Sequence, residues 1–324
     1  MDQTATRWTP PRLTYGITPL KASFTEERKR EVAALQCARI QRLPVDALVV
    51  YDLQDESSRT DAERPFPFLE SIDPLTYAYD YLADVDLPKV VYRSVAGLTA
   101  DGLTAWLQQL ARQHAATVLV GAPSKHQAVH LKLRDAYRIH REQTPTLPLG
   151  GVLIAERHES GGDEVARITE KRALGCEFFV TQAVYSVTAS KNVLSDLYYR
   201  CEAEQRPMPH VLVTISPCGS QKTLEFMRWL GIAVPRWLEN ELLHSHDILE
   251  KSVDLTVAAF EELHEFAREK GIVLGCNVES VSTRKAEIEA SVEMVQRVAA
   301  ILHAQVGSSP RATALREFHA RPQT

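Results

Sequence analysis

The chain has 324 residues, enough for one large domain, and its 44% hydrophobic and 24% charged residues are typical of a globular protein with a sizeable core. A net charge of −5 with both signs mixed gives no basic stripe, which argues against a nucleic-acid partner. The apolar runs are too short to cross a bilayer, and the N-terminal segment has no signal-like apolar region. We therefore expect a cytoplasmic protein without a membrane partner.

Apolar runs and segments with helical spacing alternate along the chain. The apolar runs predict eight strands, at residues 13–18, 47–52, 89–95, 117–121, 151–156, 178–185, 211–216 and 272–279. Helical spacing predicts helices that include residues 25–41, 100–114, 126–141, 163–174 and 189–204. Continuous apolar strands are typical of a parallel sheet buried on both faces. The pattern predicts an α/β protein, a (β/α)8 TIM barrel, rather than an open doubly wound sheet, because no strand is followed by G-x-G-x-x-G.

Two features depart from the simplest barrel. The segment between the seventh and eighth strands is long and predicts three extra helices, at residues 223–230, 235–244 and 248–270. The ends of the chain have little apolar patterning. We therefore predict an N-terminal arm at residues 1–11, a single barrel domain at 12–304 and a C-terminal tail at 305–324.

Carboxylates follow several predicted strands, at the end of a barrel where active sites lie. Asp52, Glu156 and Glu279 each close an apolar strand, where burial raises the pKa of a carboxyl and suits it to acid–base chemistry. The other acidic residues near the strand ends are interpreted as solvated loop charges: Asp55, Glu56 and Glu159.

No metal centre is predicted. His244 and His246 are two residues apart and would lie on different faces of a helix. A cation at the E-R-H-E run, residues 156–159, is the less favoured alternative. The five cysteines are odd in number and form no C-x-x-C pair, which predicts reduced thiols. Cys218 has no designated base and is interpreted as a packing residue.

The run G-C-E-F-F-V-T-Q-A-V-Y, Gly175 to Tyr185, joins a helix stop to an apolar strand that ends in Thr181 and Gln182. It resembles the A-G-A-D/E-F-x-I/V-T-Q signature of methylenetetrahydrofolate reductases. The later runs T-I-S-P-C-G and I-A-V-P-R-W-L are similar to the family's P-G-I-x-P and x-V-P-x-W/E-L/I. The resemblance implies a barrel that binds a tetrahydrofolate-type molecule, with Gln182 at the pterin.

The first half of the chain departs from the family pattern. Gly16 stands where the family has the acid that opens the imidazolidine ring. Tyr92 and Arg93 replace a His-Leu pair, and Gly121 and Pro123 replace an Arg and an Asp near the flavin. The chain therefore resembles the small actinobacterial reductases that work without FAD, which implies NAD(P)H as the hydride donor, with FAD as the alternative. Homo-oligomerisation is left open.

The resemblance and the strand ends together predict a site. Its predicted catalytic residues are Glu279 and Asp52. Its predicted substrate-binding residues are Gln182, Tyr185, Thr181, Tyr92, Glu156 and Ser216, and its predicted cofactor-binding residues are Tyr15, Gly121 and His158. The predicted function is NAD(P)H-dependent reduction of methylenetetrahydrofolate or a related iminium. The alternative is a folate-binding or one-carbon transfer protein that has lost the reductase acid.

Gly16 separates these two functions. If only the proton donor is missing, Gly16→Glu is expected to raise the rate of reduction by about 10²- to 10⁴-fold, the usual contribution of a general acid. In the alternative interpretation, Gly16 is needed for a backbone conformation with positive φ, and the substitution only strains the strand.

Overall fold

The computed structural model describes residues 8–57, 60–122 and 128–304. Eight parallel strands form a closed barrel in sequence order, with the first strand paired to the eighth, which confirms the predicted (β/α)8 fold. The strands are β1 (Leu13–Ile17), β2 (Ala47–Val50), β3 (Lys89–Ser94), β4 (Ala115–Val120), β5 (Leu149–Leu153), β6 (Phe178–Thr181), β7 (His210–Ile215) and β8 (Leu274–Glu279).

Helices surround the barrel on its outside. They are α1 (Glu26–Ile40), α2 (Pro74–Thr76), α3 (Ala100–Leu110), α4 (Leu133–Gln143), α5 (Glu156–Glu159), α6 (Glu164–Ala173), α7 (Val187–Ala203), α8 (Gln221–Trp229), α9 (Arg236–Leu243), α10 (Ile248–Glu269) and α11 (Lys285–Ala304). A π-helical turn, Tyr77–Tyr81, continues α2. Helices α8 to α10 are the predicted extra helices between β7 and β8. In the part of the chain that the structure describes, each helix is too short or too polar to span a membrane.

Some predicted bounds differ from the observed ones. The sixth strand ends at Thr181 rather than at residue 185, and Glu156 begins the short helix α5 instead of closing β5. The helix predicted from residue 126 begins at Leu133, and its first two residues lie outside the described part, as do Pro123 and the tail at 305–324. Gly175 has φ +112° and follows Leu174, the C-cap of α6, which confirms the predicted helix stop.

Side chains along each strand alternate between the barrel interior and the helix layer. The interior is filled by an apolar layer that comprises Val49, Val90, Tyr92, Ala116, Val118, Phe178, Val180 and Leu212. Trp8, from the described end of the predicted N-terminal arm, packs on Phe178 with ring centroids 4.9 Å apart. Since Phe178 begins β6, Trp8 lies at the amino end of the barrel, and the polar interior residues lie at the carboxyl end.

Candidate ligand site at the carboxyl end of the barrel

Glu279 lies at the carboxyl end of β8, beside Gly16 of β1, its register partner across the sheet. A Cβ atom built on Gly16 would lie 2.9 Å from Glu279 Cβ, 3.3 Å from its Oε2 and 2.9 Å from Tyr51 Cε2. Gly16 does not have positive φ. Backbone conformation is therefore not the reason for this glycine. It leaves the space that the Glu279 side chain and the Tyr51 ring occupy.

A chain of hydrogen bonds connects polar groups of the barrel interior to the hydroxyl of Tyr51, near Glu279. Thr14 Oγ1 donates to Asn277 Oδ1 at 2.8 Å, and Asn277 Nδ2 donates to the Tyr51 hydroxyl oxygen at 2.8 Å. The same amide nitrogen lies 3.3 Å from Thr214 Oγ1. The Tyr51 ring and the Glu279 side chain lie side by side, since a Cβ atom on Gly16 would come close to both. An ordered polar chain thus runs from β1 through β8 to Tyr51, the residue after β2, and ends next to the carboxylate.

The surroundings of Glu279 change its acidity. Burial raises the pKa of Glu279 to about 7, and the nearby polar groups of Tyr51 and Asn277 oppose that rise. Burial and the nearby carboxylate also raise the pKa of Tyr51, so that this phenol stays protonated. A carboxyl group with a pKa near neutrality is well suited to give and take a proton.

Gln182 and Tyr92 also face the interior at this end. Tyr92 lies 4.9 Å from Tyr51 between ring centroids, and the two rings form one wall of the mouth. Gln182 follows inward-facing Val180 by two residues and is half-buried. Its Nε2 donates to the carbonyl oxygen of Leu230 at 3.2 Å, which ties it to the segment after α8.

Asp52 lies apart from this group. Its Oδ2 accepts a hydrogen bond from the Ser94 backbone N–H at 2.7 Å, and the Arg93 guanidinium lies 3.8 Å away. Arg93 also pairs with Asp73 at 2.7 Å and lies over the Trp106 ring of α3. Burial raises the pKa of Asp52, and the bond from Ser94 and the Arg93 charge oppose that effect. Asp52 thus joins β2 to β3 on the helix side of the sheet.

Three further predicted substrate-binding residues take part in hydrogen bonds that connect neighbouring strand ends: Thr181, Tyr185 and Ser216. Thr181 Oγ1 accepts a hydrogen bond from the Thr214 N–H at 2.8 Å. The Tyr185 hydroxyl donates to the Ser216 carbonyl oxygen at 2.6 Å, and both residues are buried. Tyr185 packs in an apolar cluster with residues of α8 and α9, such as Met227.

The predicted cofactor residues do not come together. Tyr15 faces α11, where its hydroxyl lies 2.9 Å from Ser291 Oγ. A Cβ on Gly121 would lie 3.8 Å from Leu133 Cβ, toward α4. His158 Nε2 lies 2.9 Å from Asp196 Oδ2, in a surface cleft of about 420 Å³. Glu156, a predicted substrate residue, lies on the same short helix as His158, and burial raises its pKa.

The sequence-based prediction missed Tyr51, Asn277 and Thr14. A signal for Asn277 was present, since in C-N-V-E it is two residues from Glu279 and must share its face of β8. Among the described residues no group of three metal-ligating side chains is assembled. Burial raises the pKa of Cys218 to about 12, which leaves its thiol protonated.

The fold and the site define a (β/α)8-barrel protein with a carboxyl group of pKa about 7 at the carboxyl end of the barrel. A solved structure of a Clostridium thermocellum protein that binds two copies of 5-methyl-5,6,7,8-tetrahydrofolic acid is 47% identical to this chain, with a TM-score of 0.79. The match covers 89% of this chain and 95% of the other. The chain belongs to the same family as that protein.

The other comparisons add no argument about this chain. A GH113 β-1,4-mannanase is 11% identical, covers 89% of this chain and 98% of its own, and has a TM-score of 0.49, which carries no functional argument. No family model and no curated protein sequence matches the chain. The resemblance to methylenetetrahydrofolate reductases therefore stays a prediction.

Proposed function

We propose that the chain binds a tetrahydrofolate-type molecule at the carboxyl end of its barrel. The observation that carries this proposal is the 47% identity to a protein that binds 5-methyl-tetrahydrofolic acid. The mouth offers suitable chemistry, since a pterin has flat apolar faces and an edge of hydrogen-bond donors and acceptors. The rings of Tyr51 and Tyr92 match the faces, and the polar groups of Gln182 and Glu279 match the edge.

We further propose that the bound folate is reduced, with Glu279 as the proton donor. Protonation of N10 of methylenetetrahydrofolate breaks the N10–methylene bond and leaves a 5-iminium cation. Hydride addition at the methylene carbon then gives the 5-methyl product, and NAD(P)H would supply that hydride. Glu279 supports the step because its pKa of about 7 keeps a large protonated fraction at neutral pH. It also occupies the space beside Gly16, where the related reductases carry their acid.

Folate binding or one-carbon transfer without reduction is the second candidate. It is favoured because the predicted cofactor residues lie on separate faces, so that no residue is assigned to the hydride donor. Calorimetric titration with 5-methyltetrahydrofolate tests binding, and NAD(P)H oxidation with methylenetetrahydrofolate tests reduction. Binding without oxidation would select the second candidate, and no binding would reject both.

The purified protein is expected to be colourless, without stoichiometric FAD. A flavin needs donors for its phosphates and ring edge. Arg93 is already paired with Asp73, and Gly121 faces α4. The absorbance spectrum after gel filtration checks this expectation. One bound FAD per chain would contradict it and would indicate a protein of the flavin-containing reductase type.

Gln182→Ala is expected to weaken folate binding by roughly 5- to 150-fold, because a buried partner left unpaired costs about 1 to 3 kcal/mol. Calorimetry with 5-methyltetrahydrofolate measures the change. Gln221→Ala is a matched control, since that glutamine is exposed on α8. If Gln182→Ala binds folate with unchanged affinity, Gln182 does not contact the folate, and its role is the hydrogen bond to the Leu230 carbonyl oxygen. A lowered melting temperature of the variant would then report the loss of that bond.

A further inference from the structure

We propose that a cleft between α8 and the segment after β2 binds the glutamate tail of the folate, with Arg64 and Lys222 pairing with its carboxylates. This α8 cleft has a volume of about 550 Å³ and is lined by Glu63, Arg64, Pro65, Gln221, Lys222 and Glu225. The proposal rests on the proposed function, because it concerns the part of a tetrahydrofolate that projects from the pterin. That part is a p-aminobenzoyl ring followed by a glutamate with two carboxylates.

Both walls of the α8 cleft border the mouth of the barrel. The carbonyl oxygen of Leu230, at the end of α8, accepts the hydrogen bond from Gln182. The segment after β2 runs beside the chain after β1, where Ser71 pairs with Lys21 in an antiparallel bridge. We therefore expect a folate whose pterin contacts Gln182 to leave the mouth with its tail between these two walls.

Contacts within the protein hold the two walls together. The Trp229 indole N–H donates to the carbonyl oxygen of Ala62 at 3.0 Å. The rings of Phe66 and Phe226 meet edge to face, with centroids 5.3 Å apart. The α8 cleft is thus formed in the protein without ligand, and a ligand does not have to order both of its walls.

Aromatic rings hold the two cations of the α8 cleft. The Arg64 guanidinium lies 4.8 Å from the Phe226 ring centroid and 5.2 Å from that of Trp229. Lys222 Nζ lies 4.9 Å from the Phe66 ring centroid. Neither cation forms a salt bridge with a carboxylate in the described part of the chain. Because a ring face attracts a cation without neutralising it, both charges are left for an anionic ligand.

Two carboxylates also line the α8 cleft, and they oppose an anionic ligand. Glu225 Oε1 accepts a hydrogen bond from Gln221 Nε2 at 3.1 Å, and Glu63 is exposed. Solvent screens the charges of such exposed groups. Arg64 is half-buried against its rings, so its attraction for a carboxylate is screened less than the repulsion from Glu63. The balance therefore favours the tail, and Glu63→Gln should strengthen its binding.

Calorimetry with two ligands of the same shape tests the proposal. They are 5-methyltetrahydrofolate and its diamide, in which both glutamate carboxyl groups are neutral carboxamides. Lys222→Gln is expected to lower the affinity for 5-methyltetrahydrofolate by about fivefold, the upper range for an exposed ion pair, and to leave that for the diamide unchanged. Arg64→Gln should lower it by about tenfold, because Arg64 is less exposed.

Lys285→Gln is the matched control. It makes the same change of charge at an exposed lysine in the first turn of α11, which also begins at the carboxyl end of the barrel, and no change in affinity is expected. Equal losses in Lys222→Gln and Lys285→Gln would overturn the proposal, since they would show an effect of net charge alone. If Arg64→Gln weakens both ligands equally, it has disturbed the wall, and Lys222→Gln decides.

The two ligands also separate this proposal from the proposed function. If the wild-type protein binds the diamide as tightly as 5-methyltetrahydrofolate, folate binding is kept and the α8 cleft is not the site of the tail. If it binds neither ligand, the proposed function is wrong, and the proposal for the tail fails with it. Tighter binding of 5-methyltetrahydrofolate that is lost in Lys222→Gln supports both.

Discussion

Replacing Glu279 with glutamine is expected to lower the rate of NAD(P)H-dependent reduction of methylenetetrahydrofolate by about 10²- to 10⁴-fold, the usual contribution of a general acid. Glutamine keeps the shape of the side chain but cannot protonate N10. Single-turnover kinetics at saturating folate measures the chemical step. Calorimetry on the same variant shows whether 5-methyltetrahydrofolate still binds, which separates a lost acid from a lost binding group.

The pH dependence of the wild-type protein gives an independent check on Glu279. Its pKa of about 7 is raised from that of an ordinary glutamate, so the protonated form predominates below pH 7 and is lost as the pH rises through 7. The kcat/KM for reduction should therefore fall above about pH 7, and this limb should be absent from the residual activity of Glu279→Gln.

Asp52 is the competing candidate, because the sequence predicts both carboxylates at strand ends. Its Oδ2 is occupied by the Ser94 N–H, and it lies on the helix side of the sheet. If Asp52→Asn abolishes reduction with its melting temperature unchanged, and Glu279→Gln retains the wild-type rate, then the acid is Asp52 and our assignment is wrong.

The barrel was predictable from sequence because its strands are buried on both faces and therefore form continuous apolar runs. The same property leaves no sequence pattern that shows which residues face the barrel interior. An apolar run such as Ala47–Val50 has no polar alternation to mark its phase, so the orientation of Asp52 after it was not evident. Tyr15 was placed in the site for the same reason, although its neighbour Gly16 is the residue that faces the interior.

The positions of residues beyond the strand ends were harder to predict. Gln182 was found because the T-Q pair directly ends β6, where chain direction fixes its place. His158 and Glu156 follow β5, but there the chain turns into α5 and carries His158 to Asp196 of α7. The local spacing of residues does not predict such a turn, because packing against α7, which is distant in sequence, determines it.

The structure also changes the expectation for Gly16→Glu, which as a single substitution should not raise the rate of reduction. A side chain at this position would overlap Glu279 and Tyr51 at the 2.9 Å distances of the Cβ atom alone. Overpacking of this kind typically costs about 1 to 3 kcal/mol. We expect a lowered melting temperature, weaker folate binding and slower reduction in this variant.

The double variant Gly16→Glu with Glu279→Gly is the sharper experiment, since the two residues are register partners on β1 and β8. It removes the overlap and moves the carboxyl group from the eighth strand to the first, where the reductases that the sequence resembles carry their acid. We expect its melting temperature to exceed that of Gly16→Glu, and its rate of reduction to exceed that of Glu279→Gly by at least tenfold, within the range of general acid catalysis.

Glu279→Gly is the matched control, because it has the same empty space without the acid. A double variant that folds and binds folate but reduces no faster than this control would contradict the role of the carboxyl group as the proton donor. Folate binding without reduction would then be the function that the site supports.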